Sequence, residues 1–432
     1  MRVRRGSRVF IALIILTGVM FLGAAPAGKV PPPRDEAALR RMMSRTWNRE
    51  ILPAGASAQT LERLLARGEV ALMEDHPGGG IPWSIAAGIM VDAPAESVFK
   101  IVTDFDHYPG VIPMTSKAHA TPVPGMPNLY EVNFSIELLF SLFSIDYGVY
   151  HYHRPPYRTD WAHAAGEFEV NCGFWQLLPA DGGKRTMLFY SVYSLPRQAM
   201  IQTLYREEPA LELMTNVATA TVVVRAVKTE AERRTGKKLR PLVEKTPVEE
   251  ILRSDPETLR RFTEKGKILV MENGPTVYVT GGVVVNATPE ASFQVLSDFP
   301  RYPEFLPAVK RSEIKGRGAH GPIVYQETQI KLWKIDFTEK MEREIALQPP
   351  ERITWQIERG GAPAATGYWR LIGQDQNRKC LLINGTTEDI RGMGMMAGAA
   401  LKLEPSLEPA LLAATEIAAL DAFKKRIESN RR

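Results

Sequence analysis

The chain has 432 residues, 44% apolar and 24% charged, which suits two ordinary globular domains and excludes long disorder. Its formal charge of +5 belongs to the N-terminus: without Arg2, Arg4, Arg5 and Arg8, Lys+Arg fall from 54 to 50 against 49 Asp+Glu. A balance near +1 gives no basis for a nucleic-acid partner.

The four arginines open a basic region. An uncharged run over 9–23 follows, then the small-x-small triplet Ala25-Pro26-Ala27. This pattern predicts a signal peptide over 1–27 and an exported protein, periplasmic or secreted. The alternative is an uncleaved membrane anchor, for which residues 9–25 fall slightly short of a full span. An N-terminal extension over 28–59 contains the spacer Pro31-Pro32-Pro33 and a short helix over 35–48.

An internal repeat sets the unit of folding. Residues 88–113 (GIMVDAPAESVFKIVTDFDHYPGVIP) align without gaps to 282–307 (GVVVNATPEASFQVLSDFPRYPEFLP) at an offset of 194, with ten of 26 positions identical. Upstream, TLERLLARGEVALME from Thr60 matches TLRRFTEKGKILVME from Thr258 at an offset of 198. The difference falls in a loop around residues 77–82, rich in Gly and Pro. The unit is too long for a solenoid repeat. The chain is therefore read as domains over 60–240 and 258–432, joined by a linker over 241–257.

Within each copy a strand (85–91, 277–285) leads to a helix, which Thr288 and Pro289 open in the second copy. A short proline-bounded helix follows, then several period-2 segments, then a long helix over about 210–235 or 407–429. Strand parity puts Phe134, Ile136, Tyr147 and Val149 on one face. Their second-copy equivalents are Thr328, Ile330, Met341 and Arg343. Two further elements recur. Pro155-Pro156…Trp161 returns as Pro349-Pro350…Trp355, and Gly173-Phe174-Trp175 returns as Gly367-Tyr368-Trp369. The fold class is α+β, an antiparallel sheet whose apolar face is covered by a long C-terminal helix.

The second copy carries Asp298, Phe299, Tyr302, Pro303, Phe305, Leu306 and Pro307; the first carries Asp104, Phe105, Tyr108, Pro109, Val111, Ile112 and Pro113. This DFxxYPxFLP run, with the hairpins and closing helix around it, resembles the START-like (SRPBCC) superfamily. The nearest branch is the polyketide cyclase/dehydrase and coenzyme Q-binding Coq10 group. The resemblance implies two tandem helix-grip domains, each a curved sheet around its last helix with an apolar cavity between. Members bind lipids, sterols, quinones or polyketide intermediates; several are carriers or regulators and some are aromatase/cyclases. The first copy departs from the pattern with Val111, where an aromatic is usual.

The resemblance implies a cavity lined by Tyr108, Val111, Ile112, Phe134, Ile136 and Tyr147 in the first domain. In the second it implies Tyr302, Phe305, Leu306, Ile330, Leu332 and Phe337. Six of seven histidines lie in the first copy, and His151, His153 and His163 stand on strands where the second has Ile345, Leu347 and Ile357. With Glu339, which replaces Ile145, His151 and His163 are the candidates for acid/base chemistry. Arg343 shares the face of Glu339 and is its candidate partner. Cys172 and Cys380 do not align between the copies and read as free, buried thiols. No cofactor, metal or nucleic acid is expected. The expected partner is an apolar small molecule or lipid, with membrane-surface contact and oligomeric state left open. The function read from this is an exported carrier of a lipid, isoprenoid or quinone; the alternative is a cyclase/dehydratase-like enzyme using the first-domain histidines.

Overall fold

Sixteen strands form one continuous antiparallel sheet in the computed structural model. It describes residues 28–74, 84–138, 143–198, 202, 203, 206, 209–236, 239–264, 266–272, 278–306, 308–332, 335–360, 365–387 and 407–430. The segment 1–27 and the 77–82 loop lie outside them.

The first lobe begins with α1 (Glu36–Met42) and α2 (Ala58–Arg67), then β1 (Gly68–Glu74), β2 (Ser84–Val91) and α3 (Ala95–Val102). A short 3-10 helix over Phe105–Gly110 leads to a run of hairpins: β3 (Thr115–Pro122), β4 (Leu129–Leu138), β5 (Phe143–Arg154), β6 (Arg158–Gly166), β7 (Phe168–Ala180) and β8 (Arg185–Pro196). The long helix α4 (Pro209–Thr235) closes it. After α5 (Val248–Ser254), the second lobe repeats the order. It runs α6 (Pro256–Thr263), β9 (Gly266–Glu272), β10 (Tyr278–Val285), α7 (Pro289–Ser297), a turn over Phe299–Glu304, and β11 (Val309–Arg317). The strands β12 (Pro322–Leu332), β13 (Ile335–Gln348), β14 (Arg352–Gly360), β15 (Thr366–Gln374) and β16 (Lys379–Thr387) precede its closing helix α8 (Leu407–Ser429). Each lobe is a helix-grip layer of sheet and closing helix. Thr288 caps α7 as expected, accepting from the Ala291 N–H at 3.2 Å.

The lobes meet through β1 and β9. Their pairing runs from Gly68 opposite Glu272, through Ala71 opposite Leu269, to Glu74 opposite Gly266. Ala71 and Leu269 are equivalent positions of the repeat, so the seam is symmetric about them, as in an isologous dimer contact. Gly68 and Gly266 are required there: a Cβ on either would collide with the backbone of Met271 or Met73. On one side of the seam Leu64, Leu259 and Phe262 pack with Ile251 and Leu252 of α5. On the other side Val217 of α4 meets Leu412 and Ala413 of α8 around Leu269. The N-caps face each other as well. The Ser57 N–H donates to Thr258 Oγ1 at 2.7 Å, and the Thr60 hydroxyl donates to Asp255 at 2.5 Å. The two units thus share a sheet and a core rather than hanging on a linker.

The outer faces of the lobes differ. The extension covers the first: Val30 bonds Ala164 and Tyr150, and Trp47 stacks on Tyr152 with ring centroids 5.5 Å apart. Beneath it the buried Arg158 donates to the Thr46 carbonyl at 2.7 Å and to Asp160 at 2.8 Å. A buried charge needs such partners. The outer face of β14 in the second lobe alternates toward solvent, with Gln356 and Glu358 exposed. Cys172 and Cys380 are free and buried. Among the described residues no helix is long and apolar enough to cross a membrane.

Candidate ligand-binding site

The same sheet-and-helix frame has two different interiors. Tyr108 and Tyr302 hold equivalent places, and each hydroxyl donates to a carbonyl at the end of the preceding helix, Val102 at 2.7 Å and Leu296 at 2.6 Å. That bond explains why the repeat keeps a tyrosine there. The Gly-aromatic-Trp strands are explained by contact too. Trp161 lies on Gly173 and Trp355 on Gly367, where a Cβ would collide with the indole.

The first interior is lined with rings. Phe134 stacks on Tyr147 (5.2 Å between centroids), Trp161 stacks on Tyr190 (5.2 Å), and Tyr190 tilts against Trp175 (4.6 Å). The two strand-five histidines join this packing. His151 lies between Phe105 (4.6 Å) and Trp161 (5.3 Å), and His153 stacks on Tyr130 (4.7 Å). Burial pushes the His153 imidazole down to about 4. It also holds His151 well below the usual range, with His153 adding to the effect. Both rings are therefore neutral at physiological pH. The register puts His151 opposite Trp161 and His163 opposite Val149, so the two histidines are diagonal neighbours. Among the described residues no three His, Cys, Asp or Glu side chains cluster in a way that could hold a metal.

The second interior holds a cavity of about 270 Å³ between α8 and the sheet. Its apolar wall includes Tyr302, Leu306, Ile345, Trp355, Trp369 and Phe423, and its polar wall includes Gln326, Thr328, Arg343, Asn384 and Glu416. Two substitutions within the repeat remove rings from this space. Thr328 stands where the first lobe has Phe134, and Asn384 stands where it has Tyr190. Trp355 has thereby lost its ring partner, and the Arg343 guanidinium covers it instead at 4.3 Å from the centroid.

The closing helices align at an offset of 196. Glu232 and Glu428 fix this, each accepting from the backbone N–H of an equivalent residue, Asp92 or Asn286, at 3.0 Å. Glu416 then corresponds to Ala220. Its side chain lies over Gly281. The residue is 3% exposed, and its Oε1 has no hydrogen-bond partner. Burial alone pushes this carboxyl up to about 8. The Asn384 Oδ1 is likewise buried and unpartnered.

Of the residues expected to line a second cavity, Tyr302 and Leu306 do so. Phe305 packs behind them on Tyr302 and Phe423. The backbones of Ile330, Leu332 and Phe337 lie on β12 and β13; their side chains are outside the described residues. Phe134 and Tyr147 are part of the ring stack, Ile112 is in the same core, Val111 packs against it, and Ile136 is half-buried. Glu339 is half-buried opposite Thr328, and only Arg343 of that pair reaches the cavity. Glu416 and Asn384 carry no signal in strand parity. They emerge when the copies are compared position by position.

Residues 285–427, about a third of the chain, match the family model "Polyketide cyclase / dehydrase and lipid transport". No curated protein matches the chain. Among solved structures, the di-domain aromatase/cyclase BexL of the BE-7585A biosynthetic pathway is 13% identical, covering 78% of this chain and 98% of its own, with a TM-score of 0.28. The Zhui aromatase/cyclase from Streptomyces sp. R1128 is 17% identical over 35% of this chain and 94% of its own (TM-score 0.28). A START superfamily protein from Mycobacterium smegmatis is 20% identical over 32% of this chain and 97% of its own (TM-score 0.23).

Proposed function

We propose that the chain is an exported binding or carrier protein for an elongated apolar ligand with one polar end, a lipid, isoprenoid or quinone, held in the second lobe. One observation carries this reading: the second lobe has a cavity with an apolar wall and a polar patch. Removing an apolar body from water supplies the affinity, at roughly 25 cal/mol per Å². The family description matched by the second lobe includes lipid transport. Export rests on the pattern of residues 1–27.

A cyclase/dehydratase reading with first-lobe histidines as acid and base needs substrate beside them. Phe105, Tyr130 and Trp161 pack directly on those rings. The test is native mass spectrometry of the full chain purified from its own compartment. A co-purifying apolar molecule, lost when Thr328→Phe and Asn384→Tyr fill the second interior, is the expected result. An unliganded protein whose uptake of 2-isopropylnaphthalene is unchanged by those substitutions overturns the reading.

A further inference from the structure

The polar patch of the second cavity has two buried groups with unmet hydrogen bonds, Glu416 Oε1 and Asn384 Oδ1. Both residues line the same space, and both are more than nine-tenths buried. Neither is an inherited feature of the fold. The first lobe has Ala220 and Tyr190 at these places. Gly281 lies beneath Glu416, and the first lobe has Ala87 there.

We propose that the second cavity selects ligands ending in an uncharged oxygen function, a carbonyl or hydroxyl, which the Glu416 carboxyl and the Asn384 amide bind. This deepens the binding reading above and rests on it. Buried polar atoms in folded proteins find partners: a ligand hydroxyl can meet both groups, and a ligand carbonyl meets the Glu416 proton. Burial is the sole cause raising the Glu416 carboxyl, so no neighbouring cation holds it ionised. It is therefore protonated at neutral pH and acts as a hydrogen-bond donor. A carbonyl oxygen accepts from it. A hydroxyl can accept from it and donate to Asn384. A hydrocarbon end leaves both groups unmet. An anionic end gains Arg343 across the cavity, but that guanidinium already covers Trp355.

The test uses the full chain and three probes of one shape: 2-acetylnaphthalene, 2-isopropylnaphthalene and 2-naphthoate. Binding is read by calorimetry and by quenching of tryptophan emission. The ketone is expected to bind about tenfold more tightly than the hydrocarbon and the carboxylate. Glu416→Leu should erase that preference while keeping hydrocarbon binding, which also shows that the variant is folded. Glu416→Gln retains a donor and should retain most of the preference. Equal binding of ketone and hydrocarbon, or a preference unchanged in Glu416→Leu, overturns the proposal. Tightest binding of 2-naphthoate overturns it in favour of an anion site at Arg343. If no probe binds, the cavity reading itself fails and takes this one with it.

Discussion

Glu69 and Lys267 occupy the same position in the two lobes and carry opposite charges. Glu69 on β1 accepts from Arg225 of α4 through both oxygens at 2.5 Å, and Lys267 on β9 meets Asp421 of α8 at 2.5 Å. Arg225 and Asp421 are equivalent at the helix offset, so the pair is conserved with its polarity reversed. Each long helix matches only its own lobe. Arg225 laid on β9 would face Lys267.

Reversing one charge should therefore be costly. Glu69 is 2% exposed, and breaking a buried pair typically costs about 3–5 kcal/mol. Glu69→Lys should lower the urea midpoint by a corresponding amount. Adding Arg225→Glu should recover most of the loss. A double variant no more stable than the single one would show that the pairing is incidental.

The Glu416 carboxyl gives a second prediction. Its value in the fold is about 8 against an ordinary 4.5, so the folded state keeps a proton that the unfolded chain releases. Stability falls as pH rises from about 4.5 to about 8 and levels off above. Glu416→Gln has no such proton. Its advantage over wild type should be near zero at pH 4 and on the order of 3–5 kcal/mol at pH 9, by urea unfolding. A constant difference across that range refutes the assignment.

The first-lobe imidazoles act in the opposite direction. His153 titrates at about 4 in the fold and 6.5 in the ordinary case. The unfolded chain therefore takes up a proton first as pH falls, and stability is lost between about 6.5 and 4. His153→Phe keeps the ring packing on Tyr130. It should be close to wild type at pH 8 and unfold less readily than wild type at pH 4.5. Equal acid sensitivity of the two proteins would place the loss elsewhere.

The ring stack and the cavity make a reciprocal pair of tests. Tyr190→Ala should cost about 3 kcal/mol by removing its contacts with the Trp161 and Trp175 rings. Asn384→Ala, at the equivalent place beside an existing cavity, should cost far less, within about 1 kcal/mol. Thermal unfolding of both variants compares them directly.

Much of this was open to reading in the sequence. The offset of 194 aligns the strands, and parity puts Gln326 and Arg343 on the inward face, where both line the cavity. Glu416 is harder to read because a helical glutamate is usually solvated, and only the passage of α8 over Gly281 turns it inward. The seam had a signal in Val70-Ala71-Leu72-Met73 and Ile268-Leu269-Val270-Met271, where unbroken apolar runs mark strands covered on both faces. That their partners would be each other depends on the two glycines that let the backbones approach. The covering of the first lobe by its extension depends on the Arg158 contacts, which no periodicity announces.

The β1–β9 seam also bears on self-association. Two separate lobes would present four open strand edges to solvent, each able to template another chain. Joined at the middle, the sheet ends only at β3 and β11. β11 shows Lys310, Arg311, Lys315 and Arg317 to solvent, and β3 shows Lys117 and His119 before stopping at Pro122. Positive charge at both ends, and proline at the end of β3, discourage further strand addition, so the polymer that such a long sheet invites is stopped where it would begin to grow.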